Sequence, residues 1–152
     1  MSKLLVVFDI DGTVANLDHR LKYVRCKPKN WPAFNKGIKF DLPIKATVDV
    51  CIRYIEDPNV YVIFASGRSD DTRKDTETWL SENGMGEYDD LYMRRFGDYR
   101  CDSIVKREIL YGIIESYKQM PDMVFDDRPR VVKMWREEGI WVFDCNQSGV
   151  DF

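Results

Sequence analysis

An apolar strand that ends in two carboxylates is the feature that most constrains what this chain can fold into. Residues 4–8 read LLVVF, and Asp9, Asp11, Gly12 and Thr13 follow almost at once. Because alternate residues of an extended segment point the same way, both carboxylates can project together from the strand end. Neighbouring carboxylates repel one another unless a cation or a shared proton offsets their charge. The stretch therefore predicts either a cation site or, more simply, an Asp-Gly turn.

Short apolar runs alternate with amphipathic patterns along the rest of the chain. The runs that we assign as strands are residues 4–8, 60–65, 91–93, 122–125 and 140–143. Apolar stripes at helical spacing lie between them, at residues 44–55, 105–117 and 131–135. This alternation predicts an α/β fold, a three-layer α/β/α Rossmann-like domain around a central parallel sheet. In such sheets ligands bind beyond the carboxyl ends of the strands.

The stretch of about residues 15–43 breaks the alternation. It is too long for an ordinary connection between a strand and a helix, so we predict a small lid inserted after the first strand. Between Asp18 and Asp41 it carries seven Lys and Arg residues and no acidic one. These charges form either a solvated basic face or, if the lid lies near the site, a surface for an anion. Its aromatic residues Trp31 and Phe34 are candidates for stacking on a base or, more simply, for supporting the lid.

Composition narrows the class of protein. A chain of 152 residues fits one domain, which we place at residues 1–152. The net charge of −3 argues against a protein that coats nucleic acid through global charge. No apolar run approaches the length of about 18 residues that a membrane helix needs, and the four scattered cysteines are typical of a reducing cytoplasm. We expect no membrane association, and core packing for Trp79, Trp135 and Trp141.

Two further strand ends carry groups of the same chemical kind. The second strand closes with FASGR, which supplies Ser66, Gly67 and Arg68, and the fourth closes with VFDDR, which supplies Asp126 and Asp127. With the first pair, four carboxylates then gather at one edge of the sheet. An all-oxygen site of this kind suits Mg²⁺.

A lysine and two capping candidates belong to the same region. Lys106, near the start of the helix in CDSIVKREIL, is either a solvent-facing residue or a member of the site. Asp102 has the position of the N-cap of that helix, which would be a sufficient structural reason for it. Asp127 could likewise cap the next helix, because Pro129 follows near its first position. Asp126 has no such structural explanation.

The four elements DxDGT, Ser, Lys and DD, in this order, resemble the haloacid dehalogenase (HAD) superfamily of phosphatases over essentially the whole chain. The resemblance implies a HAD fold and covalent catalysis, in which Asp9 attacks phosphorus and Asp11 protonates the leaving alcohol and later activates water. It also implies Mg²⁺ as cofactor, held by Asp9, Asp11 through its carbonyl and Asp126, with Asp127 either a direct ligand or a residue behind the ligands. The groups implied to bind the substrate phosphate are Ser66, Gly67 and Lys106.

Downstream stretches resemble the 3′-phosphatase half of bacteriophage polynucleotide kinase more narrowly. The stretches are SGRSDDTRKDTETWL, RRFGDYRCDSIVKREI, FDDRPRVVKMWREEG and the closing SGVDF. In that family the arginine after the Ser-Gly pair contacts the phosphate, a role that carries over to Arg68. Arg73, Arg100 and Arg128 carry over only as auxiliary or supporting residues. For a phage-encoded chain, the resemblance implies action in the host cytoplasm.

Three functions remain open from the sequence. The first is a Mg²⁺-dependent polynucleotide 3′-phosphatase in nucleic-acid end repair, acting on a phosphorylated 3′ end. The second is a HAD phosphatase for free nucleotides or another small phosphate ester, and the third is an inactive fold used as a binding module. No GxxxxGK[ST] sequence occurs, so we expect no kinase domain and no 5′-kinase activity in this chain. His19 lies in the lid, where we expect a surface residue rather than a general base.

Overall fold

The computed structural model describes residues 3–149, which form a parallel sheet covered by helices. The strands are β1 (Leu4–Phe8), β2 (Ala15–Asn16), β3 (Leu42–Pro43), β4 (Val60–Ser69), β5 (Asp90–Arg94), β6 (Met123–Asp126) and β7 (Val142–Asp144). The α-helices are α1 (Lys22–Arg25), α2 (Trp31–Lys36), α3 (Lys45–Ile55), α4 (Arg73–Glu82), α5 (Asp102–Tyr117) and α6 (Pro129–Glu137). Short 3₁₀ turns occupy Asp18–Arg20, Ile38–Phe40 and Asp70–Thr72. Of the closing SGVDF stretch, the last three residues lie outside the described range.

The main sheet of the described chain has five strands in the order β5-β4-β1-β6-β7. Every neighbouring pair is parallel. Since parallel neighbours must be joined by crossovers, the connecting helices cover both faces of the sheet. The α/β prediction from the sequence is therefore confirmed, with β1 in the centre.

The core lies in two layers, one on each face of the sheet. Leu5 and Val7 of β1 pack in the layer formed with α5 and α6, whereas Val6 and Phe8 pack in the layer formed with α3 and α4. All four side chains have no exposed surface. A strand buried on both faces reads as a continuous apolar run, which explains the LLVVF sequence.

Strand β4 is longer than its apolar run predicted. It continues past residue 65 to Ser69, with a shift in its pairing to β5: Ser66 pairs with Met93 and Ser69 with Arg94. The two residues between, Gly67 and Arg68, bulge out of the ladder. Bulges of this kind redirect side chains at the rim of a sheet, next to functional sites.

The insertion after β1 begins and ends at the small antiparallel sheet of β2 and β3. Ala15 pairs with Pro43 and Asn16 with Leu42, so the ends of the insertion meet at residues 15–16 and 42–43. Helix α2 lies inside it, and its N-cap Asn30 accepts a hydrogen bond from the main chain of the first turn at 3.1 Å. The segment is therefore a folded structure with its own helices.

Two details of the helices and tryptophans differ from the sequence predictions. The N-cap of α5 is Cys101, and Asp102 is the first helical residue. The Asp102 carboxylate pairs with Arg94 and Arg128. Trp141 is 70% exposed, since it precedes the edge strand β7; the expectation of core packing was wrong for it. Trp79 and Trp135 are buried as predicted.

No helix within residues 3–149 is long and apolar enough to cross a bilayer.

A matched pair of leucine truncations tests this description of the core. Leu5 has no exposed surface, whereas Leu42 of β3 is 70% exposed. We expect Leu5→Ala to lower the free energy of unfolding by about 2–5 kcal/mol, through lost burial and the cavity left behind. Leu42→Ala should change it by less than about 0.5 kcal/mol. Urea denaturation measures both, and equal losses would contradict the assignment of β1 to the core.

Candidate active site

Three neighbouring strands place the predicted groups at one edge of the sheet. Phe8 of β1 pairs with Phe64 of β4 and with Phe125 of β6. The residues that follow these three phenylalanines therefore emerge at the same level, beyond the carboxyl ends of the strands. Asp9 and Asp126 are the next residues of two of these strands. Strand register brings together side chains that lie more than a hundred positions apart.

Asp9, Asp126 and Asp127 form a buried carboxylate trio. One oxygen from each lies within 4.8 Å of the others. The Lys106 ammonium lies 2.6 Å from Asp9 Oδ1 and 2.8 Å from Asp126 Oδ2. Thr13 Oγ1 lies 3.1 Å from Asp9 Oδ2 and 3.3 Å from Asp127 Oδ1. Lys106 is buried inside the site, so the alternative of a solvent-facing lysine is excluded.

The charges of this trio exceed what one lysine can offset. Burial, reinforced by the charge of Asp126, raises the pKa of Asp9 well above its usual range. Burial also raises the pKa of Asp127. For Lys106, burial lowers the pKa, but Asp126 and Asp9 more than compensate and keep the ammonium charged. Three carboxylates against one ammonium leave a deficit of positive charge, and hard oxygen donors in this arrangement fit a divalent ion such as Mg²⁺.

Gly12 makes room for the second acid pair. It adopts φ = +85°, a conformation that favours glycine, and a Cβ atom built there would collide with the Asp127 carboxylate. Gly12 therefore serves both the turn after β1 and the close approach of Asp127. Asp127 does not cap α6, whose N-cap is Arg128.

Trp135 has a role that the sequence did not reveal. Its indole Nε1 donates to Asp126 Oδ2 at 3.1 Å, while Asp126 Oδ1 accepts the main-chain N–H of Asp127 at 2.8 Å. The carboxylate of Asp126 is thereby held from both sides. An apolar stripe on a helix predicts a core tryptophan, but only the position of α6 against β6 shows its hydrogen bond.

The Asp11 carboxylate lies apart from the trio and faces arginines. Arg68 approaches it at 2.6 Å through Nη2, and Arg20 at 3.0 Å through Nη2. Burial alone would raise the pKa of Asp11, but the charges of Arg68 and Arg20 outweigh it and lower the pKa below its ordinary value. Two acids that are two residues apart thus have pKa values shifted in opposite directions.

Asp41 holds both arginines in place, and sequence reasoning missed it. Its carboxylate is buried and accepts from Arg20 Nε at 2.8 Å and from Arg68 Nη2 at 3.1 Å. His19 Nε2 lies 2.7 Å from the same group, and Trp79 donates to the Asp41 carbonyl at 2.8 Å. The available signal was a single acidic residue that closes a long basic stretch. Arg20 is one of the seven basic residues of that stretch, which the sequence analysis assigned to the surface. In the structure it is fully buried.

The aromatic residues of the insertion differ in what they contact. The Arg20 guanidinium lies 4.2 Å from the centre of the Phe34 ring, so Phe34 supports this arginine. Trp31 packs edge-on against Phe34, at 5.6 Å between ring centres, and is half exposed. The simpler expectation, that these rings support the lid, therefore fits Phe34.

The remaining predicted groups lie in β4, the β5–α5 loop and the helices next to them. Ser66 is buried, and its Oγ accepts the main-chain N–H of Arg68 at 3.1 Å. The Gly67 carbonyl accepts from Arg94 Nε at 2.9 Å. The other three arginines singled out by the sequence bind acceptors of this chain: Arg73 binds the Leu91 carbonyl and Glu77, Arg100 binds Asp98 and Glu108, and Arg128 binds Asp102.

A parallel sheet with one acid pair after β1, a second at the end of β6, a serine in β4 and a lysine on α5 defines a phosphatase domain of the HAD hydrolases. The candidate HAD-hydrolase YfnB from Bacillus subtilis, described with magnesium bound, shares the fold with a TM-score of 0.65. It is 9% identical, over 93% of this chain and 88% of that one, so the likeness shows the fold alone.

The family follows from closer matches. The family model of the polynucleotide kinase PNKP phosphatase domain matches residues 3–150, and the chain belongs to this family. A candidate bifunctional polynucleotide kinase/RNA ligase of Autographa californica nuclear polyhedrosis virus is 30% identical over 97% of this chain and 20% of its own length. A chain of the Pnkp1/Rnl/Hen1 RNA repair complex is 30% identical, with a TM-score of 0.79 over 98% of this chain and 44% of that one. The chain thus spans less than half the length of either relative.

Removing the shared carboxylate of Asp41 tests the arginine arrangement. Asp41→Ala leaves the buried guanidinium groups of Arg20 and Arg68 without this carboxylate partner. We therefore expect a loss of about 3 kcal/mol or more in the free energy of unfolding. Asp49→Ala, which breaks only the exposed pair with Lys45, should cost less than about 1 kcal/mol. Urea denaturation compares the two variants. An Asp41→Ala variant as stable as the control would show that the arginines do not depend on it.

Proposed function

We propose that this chain is a Mg²⁺-dependent phosphomonoesterase that removes 3′-phosphates from polynucleotide ends through an aspartyl-phosphate intermediate. The observation that carries the proposal is the opposite environment of two neighbouring acids. Asp9 faces Lys106 and two further carboxylates, while Asp11 faces two arginines. One acid thus lies among groups suited to a metal and a phosphate, which supports Asp9 as the nucleophile. The other lies outside this cluster, which supports a separate role in proton transfer for Asp11.

The carboxylates of Asp9, Asp126 and Asp127 would hold the Mg²⁺, with the main-chain carbonyl of Asp11 as a further ligand. When bound, the ion would supply Lewis-acid polarisation of the phosphate and neutralise the trio. The raised pKa of Asp9 supports this assignment, since a buried acid surrounded by acids needs positive charge to stay ionised. Lys106 supplies part of that charge to both Asp9 and Asp126.

Asp9 is the proposed nucleophile. A carboxylate oxygen of Asp9 forms a bond to phosphorus while the ester bond between phosphorus and the leaving 3′-oxygen breaks. Lys106, Ser66 and the Gly67 N–H would bind the phosphoryl oxygens, where negative charge must be stabilised during the transfer. The burial of Lys106 and Ser66 strengthens these interactions by limiting access of water.

Asp11 is the proposed general acid and base. Its lowered pKa keeps it ionised before substrate binds, which suits the later step. In that step it takes a proton from the water whose oxygen bonds to phosphorus, while the bond between phosphorus and the Asp9 oxygen breaks. A phosphate that accepts hydrogen bonds from Arg68 would draw part of the guanidinium charge away from Asp11. The pKa of Asp11 would then rise, so that it takes up a proton from solvent and passes it to the leaving 3′-oxygen.

The polynucleotide substrate is supported by family membership and by the names of the relatives, a polynucleotide kinase/RNA ligase and a chain of an RNA repair complex. The alternative is a free nucleotide or another small phosphate ester. One observation favours it: Arg20 of the insertion reaches Asp11, so the insertion encloses one side of the site.

Asp9→Asn should abolish hydrolysis because an amide cannot form the aspartyl-phosphate. We expect the kcat for a 3′-phosphorylated oligonucleotide with Mg²⁺ to fall by about 10³-fold or more, measured as released phosphate. Asp49→Asn, an exposed carboxamide substitution on α3, is the matched control and should keep the parent rate. Unchanged turnover in Asp9→Asn would refute covalent catalysis by this residue.

A comparison of substrates tests the specificity. We expect kcat/KM for a 3′-phosphorylated single strand to exceed that for a 3′-mononucleotide by about tenfold or more, the equivalent of one stacked base. 5′-Mononucleotides should react more slowly still, because the site would be built for a 3′ leaving oxygen. A preference for 5′-mononucleotides would end the polynucleotide assignment and favour a nucleotidase.

A further inference from the structure

The loop between β5 and α5, residues 95–101, presents aromatic rings to solvent beside the candidate active site. Phe96 is 72% exposed and Tyr99 is 90% exposed. Single exposed aromatic residues are common on protein surfaces, but here two lie three positions apart among Arg95 and Arg100. Aromatic rings interspersed with arginines are typical of surfaces that bind single-stranded nucleic acid, where bases stack on the rings.

The position of this loop follows from the sheet. Strand β5 is the parallel neighbour of β4, so the loop leaves the same edge from which Ser66 and Gly67 emerge. Arg94 Nε donates to the Gly67 carbonyl at 2.9 Å, and the Phe96 N–H donates to Asp70 Oδ1 at 3.0 Å. The loop is therefore bonded directly to the segment that is proposed to hold the phosphate.

Hydrogen bonds from Arg94 also fix the shape of the loop. Its Nη1 donates to the carbonyl of Asp98 at 3.0 Å and to that of Arg100 at 2.7 Å, and its guanidinium pairs with Asp102. Gly97 has φ = +85°, and a Cβ atom there would contact nothing within 4 Å, which places it at an open turn. A loop held in this way keeps its rings exposed in one arrangement and loses little entropy on binding.

Arginines outnumber carboxylates in the groove next to the loop. This groove of about 460 Å³ lies between the loop, β5 and α5, and neither Phe96 nor Tyr99 lines it. Its charged lining residues are Arg94, Arg95, Arg100, Asp98 and Glu108. Arg100 pairs with both carboxylates, at 2.8 and 2.7 Å, so it offsets one of their two negative charges. Arg95 is exposed at the groove and adds positive charge next to the rings.

We infer that the β5–α5 loop binds the nucleotides that precede the 3′-phosphate of a single strand, with Phe96 and Tyr99 stacking on bases and Arg95 facing the backbone. The inference rests on the proposed function and deepens it, because it gives a reason for the preference for a polynucleotide over a mononucleotide. It also assigns stacking to this loop instead of Phe34, whose ring already packs on Arg20.

The test is a double substitution, Phe96→Ala with Tyr99→Ala, assayed on two substrates. For a 3′-phosphorylated decanucleotide, in DNA and RNA form, we expect KM to rise by about tenfold or more. For a 3′-mononucleotide, kcat/KM should stay unchanged, because its phosphate reaches the site without the loop. Trp141→Ala is the matched control, since Trp141 is 70% exposed but precedes β7 at the opposite edge of the sheet. Equal losses on both substrates, or none on the decanucleotide, would overturn the inference.

A binding measurement separates this inference from the proposed function. Fluorescence anisotropy of a labelled decanucleotide that ends in a 3′-hydroxyl requires no hydrolysis. We expect the double variant to bind it about tenfold more weakly than the parent and the Trp141→Ala control. If the parent hydrolyses no 3′-phosphate but shows this difference, the loop assignment stands and the proposed function fails. If hydrolysis is normal and the affinities are equal, the function stands and the loop assignment fails.

Discussion

The mutual repulsion of Asp9, Asp126 and Asp127 is the constraint on which the rest of this structure depends. Their oxygens lie within 4.8 Å of one another in a buried site, so the fold must supply positive charge or a proton to keep them there. Lys106 supplies one charge, and Thr13 lies within hydrogen-bonding distance of two members of the trio. The remaining deficit is what makes the site suited to a divalent cation.

The second consequence is the separation of two acids that are neighbours in sequence. Asp9 lies among carboxylates and has a raised pKa, whereas Asp11 lies against Arg68 and Arg20 and has a lowered one. Asp41 makes this contrast stable, because it pairs with both arginines. The insertion after β1 therefore contributes to the electrostatics of the site through Arg20, as well as covering part of it.

Much of the fold could be predicted from the sequence, because parallel strands that are buried on both faces leave continuous apolar runs. The errors occurred where tertiary contacts override local signals. Strand β4 continues through a bulge that no apolar pattern marks. Asp102 was predicted as a cap, but it is the first helical residue and its carboxylate pairs with Arg94 and Arg128. Trp141 is apolar and aromatic, yet it precedes an edge strand and stays exposed.

The sequence by itself determined which chemical groups stand at the strand ends, because the acid pairs, the serine and the lysine directly follow or flank recognisable elements. It also determined the order of the five strands of the main sheet and of α3, α5 and α6, through the period of the apolar residues, whereas α4, β2 and β3 were not predicted. Only the tertiary structure decided how those groups face one another. Register across β1, β4 and β6 sets the distances in the trio, and the folded insertion brings Arg20 and Asp41 to Asp11. Such contacts join residues distant in the chain, and no local pattern encodes them.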